Sequence, residues 1–353
     1  MNQRDRRNDD DGPECERELR ERIQACIIPN LNVRWEDVIG LEEGKKFVTA
    51  AVVTPLKYPQ LFGNKPGQIK PSKGVLLYGP PGTGKTELAR AAATETRATF
   101  FNIAVSNLKD EYQGNSERLC RILFEEARRR KPSIIFIDEV ETMLGNRDAR
   151  RDDDVSNAMV TEFLAQMDGV GHDQRNVVVL AACNRPWKLD EAILSRLDKK
   201  LHVSLPNFAA RKEICKLNIE GRSDGQLICK ILREEDYDAL AKATEGYSGR
   251  DISGIVSGAN MPMLGLLEQA EYFRRVTAPS ADDSKVLCDD MLEPCDKNDV
   301  GAFPKKEKDL SETERKKVVL PKLTLERVLA SVKSTKKSVS AKTVKKCAEW
   351  KEK

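Results

Sequence analysis

The strongest constraint on this chain is a glycine-rich octapeptide between a short apolar segment and a helical pattern. Residues 79–86 read Gly-Pro-Pro-Gly-Thr-Gly-Lys-Thr and match GxxxxGK[ST]. They follow the strand pattern Val75–Tyr78 and precede the helical pattern Glu87–Ala93. Glycines let such a loop curl until its N–H groups point at phosphate oxygens, and the helix start adds a favourable dipole. This context predicts a phosphate-binding loop.

The loop motif also predicts the ligand and the residues that hold it. We expect the nucleotide to be held by Gly79, Pro80, Pro81, Gly82, Thr83, Gly84, Lys85, Thr86 and Glu87. Lys85 is expected to reach the β- and γ-phosphates, and the Thr86 hydroxyl to hold Mg²⁺. The predicted ligands are therefore ATP and Mg²⁺.

Two acids and an amide follow the next apolar segments. Asp138 and Glu139 come directly after Ile134–Ile137, and Asn184 follows Val177–Cys183. Ligands of open α/β sheets bind at the carboxyl ends of the strands. We expect Asp138 to orient Mg²⁺ or its water, Glu139 to act as general base on the attacking water, and Asn184 to hydrogen-bond that water.

Arg196 ends the helical pattern Leu189–Leu197. An arginine there can stabilise the charge of a γ-phosphate. If it lies at the edge of the domain, that phosphate belongs to a neighbouring subunit. The alternative, an arginine with only a surface role, stays open on the residues alone.

Five apolar segments rich in β-branched and aromatic residues alternate with helical patterns before Pro206. They are Val75–Tyr78, Thr99–Ile103, Ile134–Ile137, Val177–Cys183 and Leu201–Leu205. Since they lack strict polar–apolar alternation, they predict a parallel sheet buried on both faces. The predicted fold class is α/β, with a five-stranded parallel sheet between helices.

Helical patterns replace the strand signals after Pro206. They cover Ala209–Ile219, Glu234–Thr244, Arg250–Leu267 and Leu323–Val332, with a proline-containing stretch between the last two. The predicted organisation is a weakly ordered tail at 1–33, a large α/β domain at 34–206, a small helical domain at 207–275, a partly flexible β-like insertion at 276–320, and a C-terminal helix and tail at 321–353.

Composition excludes other classes of protein. The longest apolar stretch, Val177–Cys183, is far shorter than the roughly 18 residues that a membrane helix needs. Nine scattered cysteines without a Cys-x-x-Cys pair, and only two histidines, argue against a zinc site and fit a reducing cytosol. Net charge is +3, but residues 305–353 hold 16 basic and 7 acidic residues, a local +9. This end is either a solvated helix face or a contact for an acidic partner or an anionic membrane.

These motifs together resemble those of the AAA ATPases. The resemblance is carried by Trp35-Glu-Asp-Val-Ile-Gly-Leu, residues 79–86, Ile134-Ile-Phe-Ile-Asp-Glu, Asn184-Arg-Pro and Gly246-Tyr-Ser-Gly. Within that family the chain is similar to the group of katanin, spastin and the vacuolar protein sorting ATPases that disassemble ESCRT-III. The stretches Pro132–Val140, Glu293–Ala302 and Leu323–Lys336 are most similar to the vacuolar protein sorting branch. The likeness runs from about Val33 to Trp350.

The resemblance implies a hexamer that binds ATP between subunits, with Arg196 reaching in from the neighbour. Central loops would grip an unfolded client segment, and Tyr112 and Gln113 occupy the place of the gripping loop. An aromatic side chain suits a sequence-tolerant grip because it offers a large contact area. A second pore loop is expected near Arg147–Asp154.

Three departures from the family pattern bear on function. Glu111-Tyr112 stands where the family usually has Lys-Trp, and Ser195-Arg196-Leu197 retains one of two expected arginines. Because an arginine finger contributes several powers of ten in rate, we expect slow turnover. The family's N-terminal three-helix domain, which binds client tails, cannot be formed by the 33 residues before the likeness begins.

The leading interpretation is an ATP-driven hexamer that disassembles ESCRT-III-like filaments in endosomal and vacuolar sorting. Two alternatives stay open: a nucleotide-binding subunit of low intrinsic ATPase activity in a mixed ring with a paralogue, and a microtubule-severing ATPase. We expect a cytoplasmic protein that reaches endosomal membranes transiently and only through its clients. A cofactor protein would bind the insertion at 276–320, and no nucleic-acid partner is expected. With the family in view, the basic end is assigned to ring structure.

Overall fold

The computed structural model divides the chain into two units. One comprises residues 1–205 and 339–353, and the other residues 206–338. The structure describes residues 13–63, 67–69, 72, 74–108, 114–143, 154–169, 176–220, 222–223, 226–227, 232–279, 287–321 and 323–350. Within these ranges, no helix has the length and apolar character needed to cross a membrane.

The first unit is built on a five-stranded parallel sheet. Its strands are β1 (Gly74–Tyr78), β2 (Thr99–Ile103), β3 (Ser133–Ile137), β4 (Val177–Cys183) and β5 (Lys199–His202), in the order β2-β3-β4-β1-β5. Every neighbouring pair is parallel. The predicted α/β fold class and the five-stranded sheet are thus confirmed.

Helices cover both faces of this sheet. They are α1 (Pro13–Gln24), α2 (Glu42–Val48), α3 (Thr54–Lys57), α4 (Lys85–Thr96), α5 (Val105–Leu108), α6 (Asn115–Arg129), α7 (Val140–Met143), α8 (Asp154–Asp168) and α9 (Glu191–Leu194). A π-helical segment, Thr49–Val53, joins α2 to α3. The strand residues alternate between two apolar cores, so that Leu76 packs on one face and Leu77 on the other. This explains why the strands read as continuous apolar runs.

The N-terminal segment is packed against the first unit, and the expectation of weak order is wrong from Pro13 onward. Helix α1 lies on α6, with Ile23 fully buried. After the helix, the Ile28 N–H donates to the Phe100 carbonyl, and the Asn102 N–H to the Cys26 carbonyl. The chain thereby covers the free edge of β2, which protects it from pairing with other chains.

The second unit combines a helical core with a small antiparallel sheet. Its helices are α10 (Phe208–Glu220), α11 (Glu234–Ala243), α12 (Gly249–Glu268), α13 (Glu312–Arg315) and α14 (Leu325–Ser334), and its strands are β6 (Arg222–Ser223), β7 (Gln226–Leu227), β8 (Tyr272–Pro279), β9 (Leu287–Pro294) and β10 (Phe303–Pro304). Strands β8 to β10 form an antiparallel sheet in the order β10-β8-β9, around a small core of Phe273, Leu292 and Leu310. This sheet begins at Tyr272, slightly before the insertion expected at 276–320.

The chain then returns to the first unit as a helix. After α14, the last helix, α15 (Ala341–Glu349), belongs to the same unit as the parallel sheet. Its Cys347 is fully buried there. The C-terminal tail expected from the sequence is therefore helical over these residues and packed.

Candidate active site

The phosphate-binding loop is fixed between the ends of two strands. The Gly79 N–H donates to the Cys183 carbonyl at 3.1 Å, and the Val203 N–H donates to the Tyr78 carbonyl at 2.7 Å. Gly79 has a φ of 151°, and a Cβ there would lie 2.1 Å from the Val203 oxygen. Only glycine allows this approach of two backbones, and it sets the direction in which the loop leaves β1.

Lys85 is the buried first residue of α4. Its Nζ donates to the carbonyl oxygens of Gly79 at 2.8 Å and Pro80 at 2.7 Å. The Thr83 hydroxyl donates to the same Pro80 oxygen at 3.0 Å. The ammonium group is therefore held by the loop itself, through hydrogen bonds that phosphate oxygens can replace.

Two opposing effects set the pKa of Lys85. Burial lowers the pKa of Lys85 from its usual range to about 8, and the Asp138 carboxylate acts against that shift. At neutral pH the side chain is therefore mostly protonated, as phosphate binding requires. Burial, followed by the positive charge of Lys85, likewise lowers the pKa of His202.

Thr86 and Asp138 meet at the carboxyl edge of the sheet. The Thr86 hydroxyl donates to Asp138 Oδ2 at 3.2 Å, and the Glu139 N–H donates to Asp138 Oδ1 at 2.9 Å. Hydroxyl and carboxylate oxygens are hard ligands of the kind Mg²⁺ prefers, and Mg²⁺ usually takes only one or two protein ligands besides water and substrate phosphates. The pair therefore fits the metal expected from the sequence.

Glu139 occupies a strained backbone position. Its φ is 50°, in the left-handed region, and its side chain is exposed. Such a conformation costs a non-glycine residue about 1–3 kcal/mol and is concentrated at functional sites. The N–H and the hydroxyl of Thr142 both donate to the Glu139 carbonyl at 2.8 Å, which stabilises the turn.

The backbone of Asn184 is held from two sides. Its N–H donates to Glu141 Oε1 at 3.0 Å, and its carbonyl accepts from the Cys347 thiol at 3.9 Å. Burial, with a further contribution from the Glu141 carboxylate, raises the pKa of the neighbouring Cys183 thiol far above its usual range. The sequence interpretation did not include Glu141, although it is a third acid only three residues after Asp138.

Matches to two family models and to a relative over nearly the whole chain show which family this protein belongs to. Residues 75–205 match the ATPase family associated with various cellular activities (AAA), and residues 292–353 match the Vps4 C terminal oligomerisation domain. Vacuolar protein sorting-associated protein 4A of Rattus norvegicus is 39% identical over 332 residues, which cover 94% of this chain and 73% of that protein. The chain belongs to the Vps4 family of AAA ATPases.

Other relatives place this Vps4-family chain among related ATPases. A katanin p60 ATPase-containing protein of Xenopus tropicalis is 45% identical over 248 residues, which cover 69% of this chain but 45% of that protein. The crystal structure of the FIGL-1 AAA domain in complex with ADP has a TM-score of 0.68 and 30% identity, and covers 95% of each chain. The family, the fold and the ATPase activity expected from the sequence are thereby confirmed.

Arg196 lies away from the phosphate loop of its own chain. Its Nη2 and Nε donate to Asp168 Oδ2 at 2.6 and 3.0 Å, and its Nη1 donates to the Ala192 carbonyl at 2.8 Å. Its carbonyl oxygen is 3.3 Å from the position of a Cβ on Gly74, the first residue of β1. Because the loop follows the last residue of β1, roughly 13 Å of strand separates the two. Within one chain, then, the structure does not bring Arg196 to the other site residues.

The remaining predicted residues make other contacts or lie outside the described ranges. The Glu87 carboxylate forms an ion pair with Arg90 at 2.9 Å, one turn along α4. The candidate pore residues Tyr112 and Gln113 lie outside the described residues, as does the second pore loop up to residue 153.

The sequence interpretation missed the contact of α15 with the strand ends. The Trp350 ring meets the Tyr78 ring edge-on, with centroids 4.6 Å apart, and the Tyr78 hydroxyl donates to the Trp350 carbonyl at 3.4 Å. Nζ of Lys346 lies 4.2 Å from the ring centroid of Trp187, two residues after the Asn184-Arg dipeptide. Cys347 and Trp350 are three residues apart in a lysine-rich segment, and this spacing could have indicated a helix with one buried side.

Proposed function

We propose that this ATPase works as a hexamer that disassembles ESCRT-III-like filaments by pulling client segments through a central pore, in endosomal and vacuolar sorting. The observation that carries the proposal is the match of residues 292–353 to the Vps4 C terminal oligomerisation domain, in a chain that also holds a hydrolytic site. The client and the pore belong to the proposal, as do transient endosomal localisation of a cytoplasmic protein and a cofactor protein at 276–320.

Nucleotide binding begins with an exchange of partners at Lys85. Its Nζ leaves the carbonyls of Gly79 and Pro80 for the β- and γ-phosphates, which the loop N–H groups also face. Thr86 and Asp138 would hold Mg²⁺. When bound, the metal neutralises charge on the phosphates.

Hydrolysis then depends on the ends of β3 and β4. The Glu139 carboxylate accepts a proton from the attacking water, as general base. The side-chain amide of Asn184 hydrogen-bonds and orients that water. Asp138 is held by Thr86 and by the Glu139 N–H, so the base and the metal ligand keep a fixed relation.

Assembly supplies what one chain lacks. In the proposed ring, Arg196 of one protomer stabilises the γ-phosphate charge at the neighbour's site, and Tyr112 and Gln113 grip the client. Support for action between protomers comes from the position of Arg196 at the far end of β1 from its own loop.

The proposal is tested by trapping the client complex. Glu139→Gln should bind ATP without hydrolysing it and co-sediment with filaments of ESCRT-III proteins when ATP is present. The matched control is Lys85→Ala, which should not bind ATP and should stay in the supernatant. If the Glu139→Gln hexamer stays in the supernatant with each class of ESCRT-III protein, the client assignment is wrong.

One observation favours the second candidate function, a component of low intrinsic activity in a mixed ring with a paralogue. Arg196 is engaged with Asp168, and the preceding Leu194 and Ser195 carry no charge. Phosphate release per chain, measured over increasing protein concentration, separates the two. A steep rise supports a self-assembling enzyme, whereas a flat, low rate with nucleotide binding retained supports the mixed ring. Microtubule severing has less support, because the katanin relative is matched over less than half of its length.

A further inference from the structure

Glu141 is an acidic residue of the site that has no assigned role. It lies in α7, two residues after Glu139, and its side chain is partly buried. One carboxylate oxygen accepts the Asn184 N–H at 3.0 Å. The other, Oε2, is buried, and the carboxylate also lies beside the Cys183 thiol, whose pKa it helps to raise. The carboxylate therefore connects the turn after β3 with Cys183 and Asn184 at the end of β4.

The hydrogen bond to Asn184 links two strand ends. Glu141 follows β3 and Asn184 follows β4, and these strands are neighbours in the sheet. Oε1 of Glu141 reaches across this gap to the backbone of Asn184. It therefore fixes the turn that carries Glu139 relative to the residue that orients the attacking water.

Both backbone polar groups of Asn184 have a partner once this bond is made. Its N–H is bound by Glu141 and its carbonyl by the Cys347 thiol. The side-chain amide is then the remaining polar group of Asn184. Its direction depends on the orientation of a peptide that Glu141 holds from the neighbouring strand end.

The same bond acts on the base. Glu139 is strained at a φ of 50°, and its carbonyl accepts both the N–H and the hydroxyl of Thr142, the residue after Glu141. Glu141 thus lies inside the turn that stabilises the strained residue. Loss of its anchor on Asn184 would let this turn relax and move the base.

We infer that Glu141 is a positioning residue for ATP hydrolysis, whose Oε1 holds Asn184 and the Glu139 turn in register across two strand ends. Its proposed action is on Asn184 and the turn, and not on the nucleotide itself. The role depends on hydrolysis alone, so it stands or falls independently of the client, the pore and the filament.

Two substitutions separate the hydrogen bond from mere packing. Glu141→Met keeps a side chain of similar length but has no oxygen acceptor, and Glu141→Gln keeps an oxygen acceptor with no charge. We measure kcat and KM for ATP hydrolysis by the assembled protein, the Kd of a fluorescent ATP analogue, and the thermal unfolding temperature. The matched control is Glu95→Met, at an exposed residue of α4 that pairs with Lys57.

The expected result is a split between binding and turnover. Glu141→Met should lower kcat by about tenfold to a hundredfold, the scale of an active-site displacement near 1 Å, with Kd and KM within about threefold of wild type. Glu141→Gln should keep at least about a third of wild-type kcat, and Glu95→Met should match wild type. Glu141→Ala gives the same readouts if the methionine variant does not fold.

Three results would overturn the inference. One is wild-type kcat in Glu141→Met, or in Glu141→Ala where that variant replaces it. Another is a glutamine variant as slow as the methionine variant, which would make the charge and not the hydrogen bond decisive. The last is a loss of ATP affinity or a fall in unfolding temperature parallel to the fall in kcat, which would indicate a binding or structural role.

Discussion

At the scale of single residues, the site contains a lysine whose charge depends on what fills the loop. Lys85 is buried, donates to two loop carbonyls and has a pKa of about 8. Phosphate oxygens carry full negative charge where the carbonyls carry only dipoles. Nucleotide binding should therefore raise the pKa of Lys85 again, and binding and protonation are linked.

ATP affinity should accordingly weaken above pH 8. In the free protein Lys85 loses its proton as pH rises through about 8, whereas the bound form keeps it, so binding above that pH should take up protons. Titration calorimetry in two buffers of different ionisation enthalpy measures this uptake. Lys85→Arg stays charged over pH 7 to 9 and should show none. Equal affinity and no uptake across this range in the wild type would contradict the linkage.

The second residue-scale prediction concerns the Arg196–Asp168 ion pair. If Arg196 acts on a neighbouring protomer, it must first leave Asp168. Because the pair is partly exposed, it contributes at most about 1 kcal/mol. Asp168→Asn should therefore raise kcat of the assembled enzyme by up to about fivefold, whereas Arg196→Ala should lower it by at least about tenfold.

Two controls make that prediction specific. Neither substitution should alter kcat at protein concentrations too low for assembly, since the arginine would then have no neighbour. If Arg196→Ala lowers the unfolding temperature but leaves kcat of the assembled enzyme unchanged, the residue only joins α8 to α9. The surface role left open by the sequence would then be correct.

At the scale of elements, the N-terminal helix is a structural part of the first unit. Arg20 donates to Glu125 at 2.8 Å and to Glu126 at 3.1 Å, both on α6, while Ile23 is fully buried. The sequence shows a short amphipathic pattern here, but its partner α6 begins far along the chain, at Asn115. No local signal states that the two helices meet, which is why the sequence alone predicts weak order.

Ile23→Ala should lower the free energy of unfolding by about 2–4 kcal/mol, because it removes buried methylene groups and leaves a cavity against α6. Urea unfolding followed by circular dichroism measures the change. The control is Arg17→Ala on the same helix, whose side chain is 79% exposed and pairs with Glu21 one turn away. It should cost less than about 0.5 kcal/mol. Similar losses for the two variants would mean that α1 does not pack on α6 in solution.

The sequence predicts the individual strands and the residues that lie at their ends. It does not predict contacts between elements that are distant in the chain. The apolar runs before Asp138 and Asn184 are typical of parallel strands, and parallel strands bring their carboxyl ends to one edge, so these residues and the loop are expected together. The Glu141–Asn184 hydrogen bond requires knowing that β3 and β4 are neighbours. The Arg196–Asp168 pair joins residues 28 positions apart, with β4 between them in the chain. Both are tertiary facts without a local signature.

At the scale of the whole molecule, the chain leaves the first unit after β5 and returns to it with α15. The first unit is therefore discontinuous in sequence, and its last helix contacts the ends of strands that carry site residues. Lysines crowd this segment, yet Cys347 and Trp350 pack against the first unit. The last helix of the basic end thus has a structural role, while Lys342, Lys345 and Lys346 lie on its exposed side.

This return predicts that the end of the chain stabilises the nucleotide-binding unit. Trp350→Ala should lower the free energy of unfolding by about 1–3 kcal/mol, less than for a fully buried tryptophan, because the ring is only partly buried against Tyr78. Trp350→Phe keeps an aromatic edge for Tyr78 and should recover most of the loss. The control is Lys345→Ala on the same helix, with a side chain 76% exposed. If Trp350→Ala and Lys345→Ala unfold alike, α15 does not hold the strand ends, and the discontinuous unit would have to be replaced by one that ends at β5.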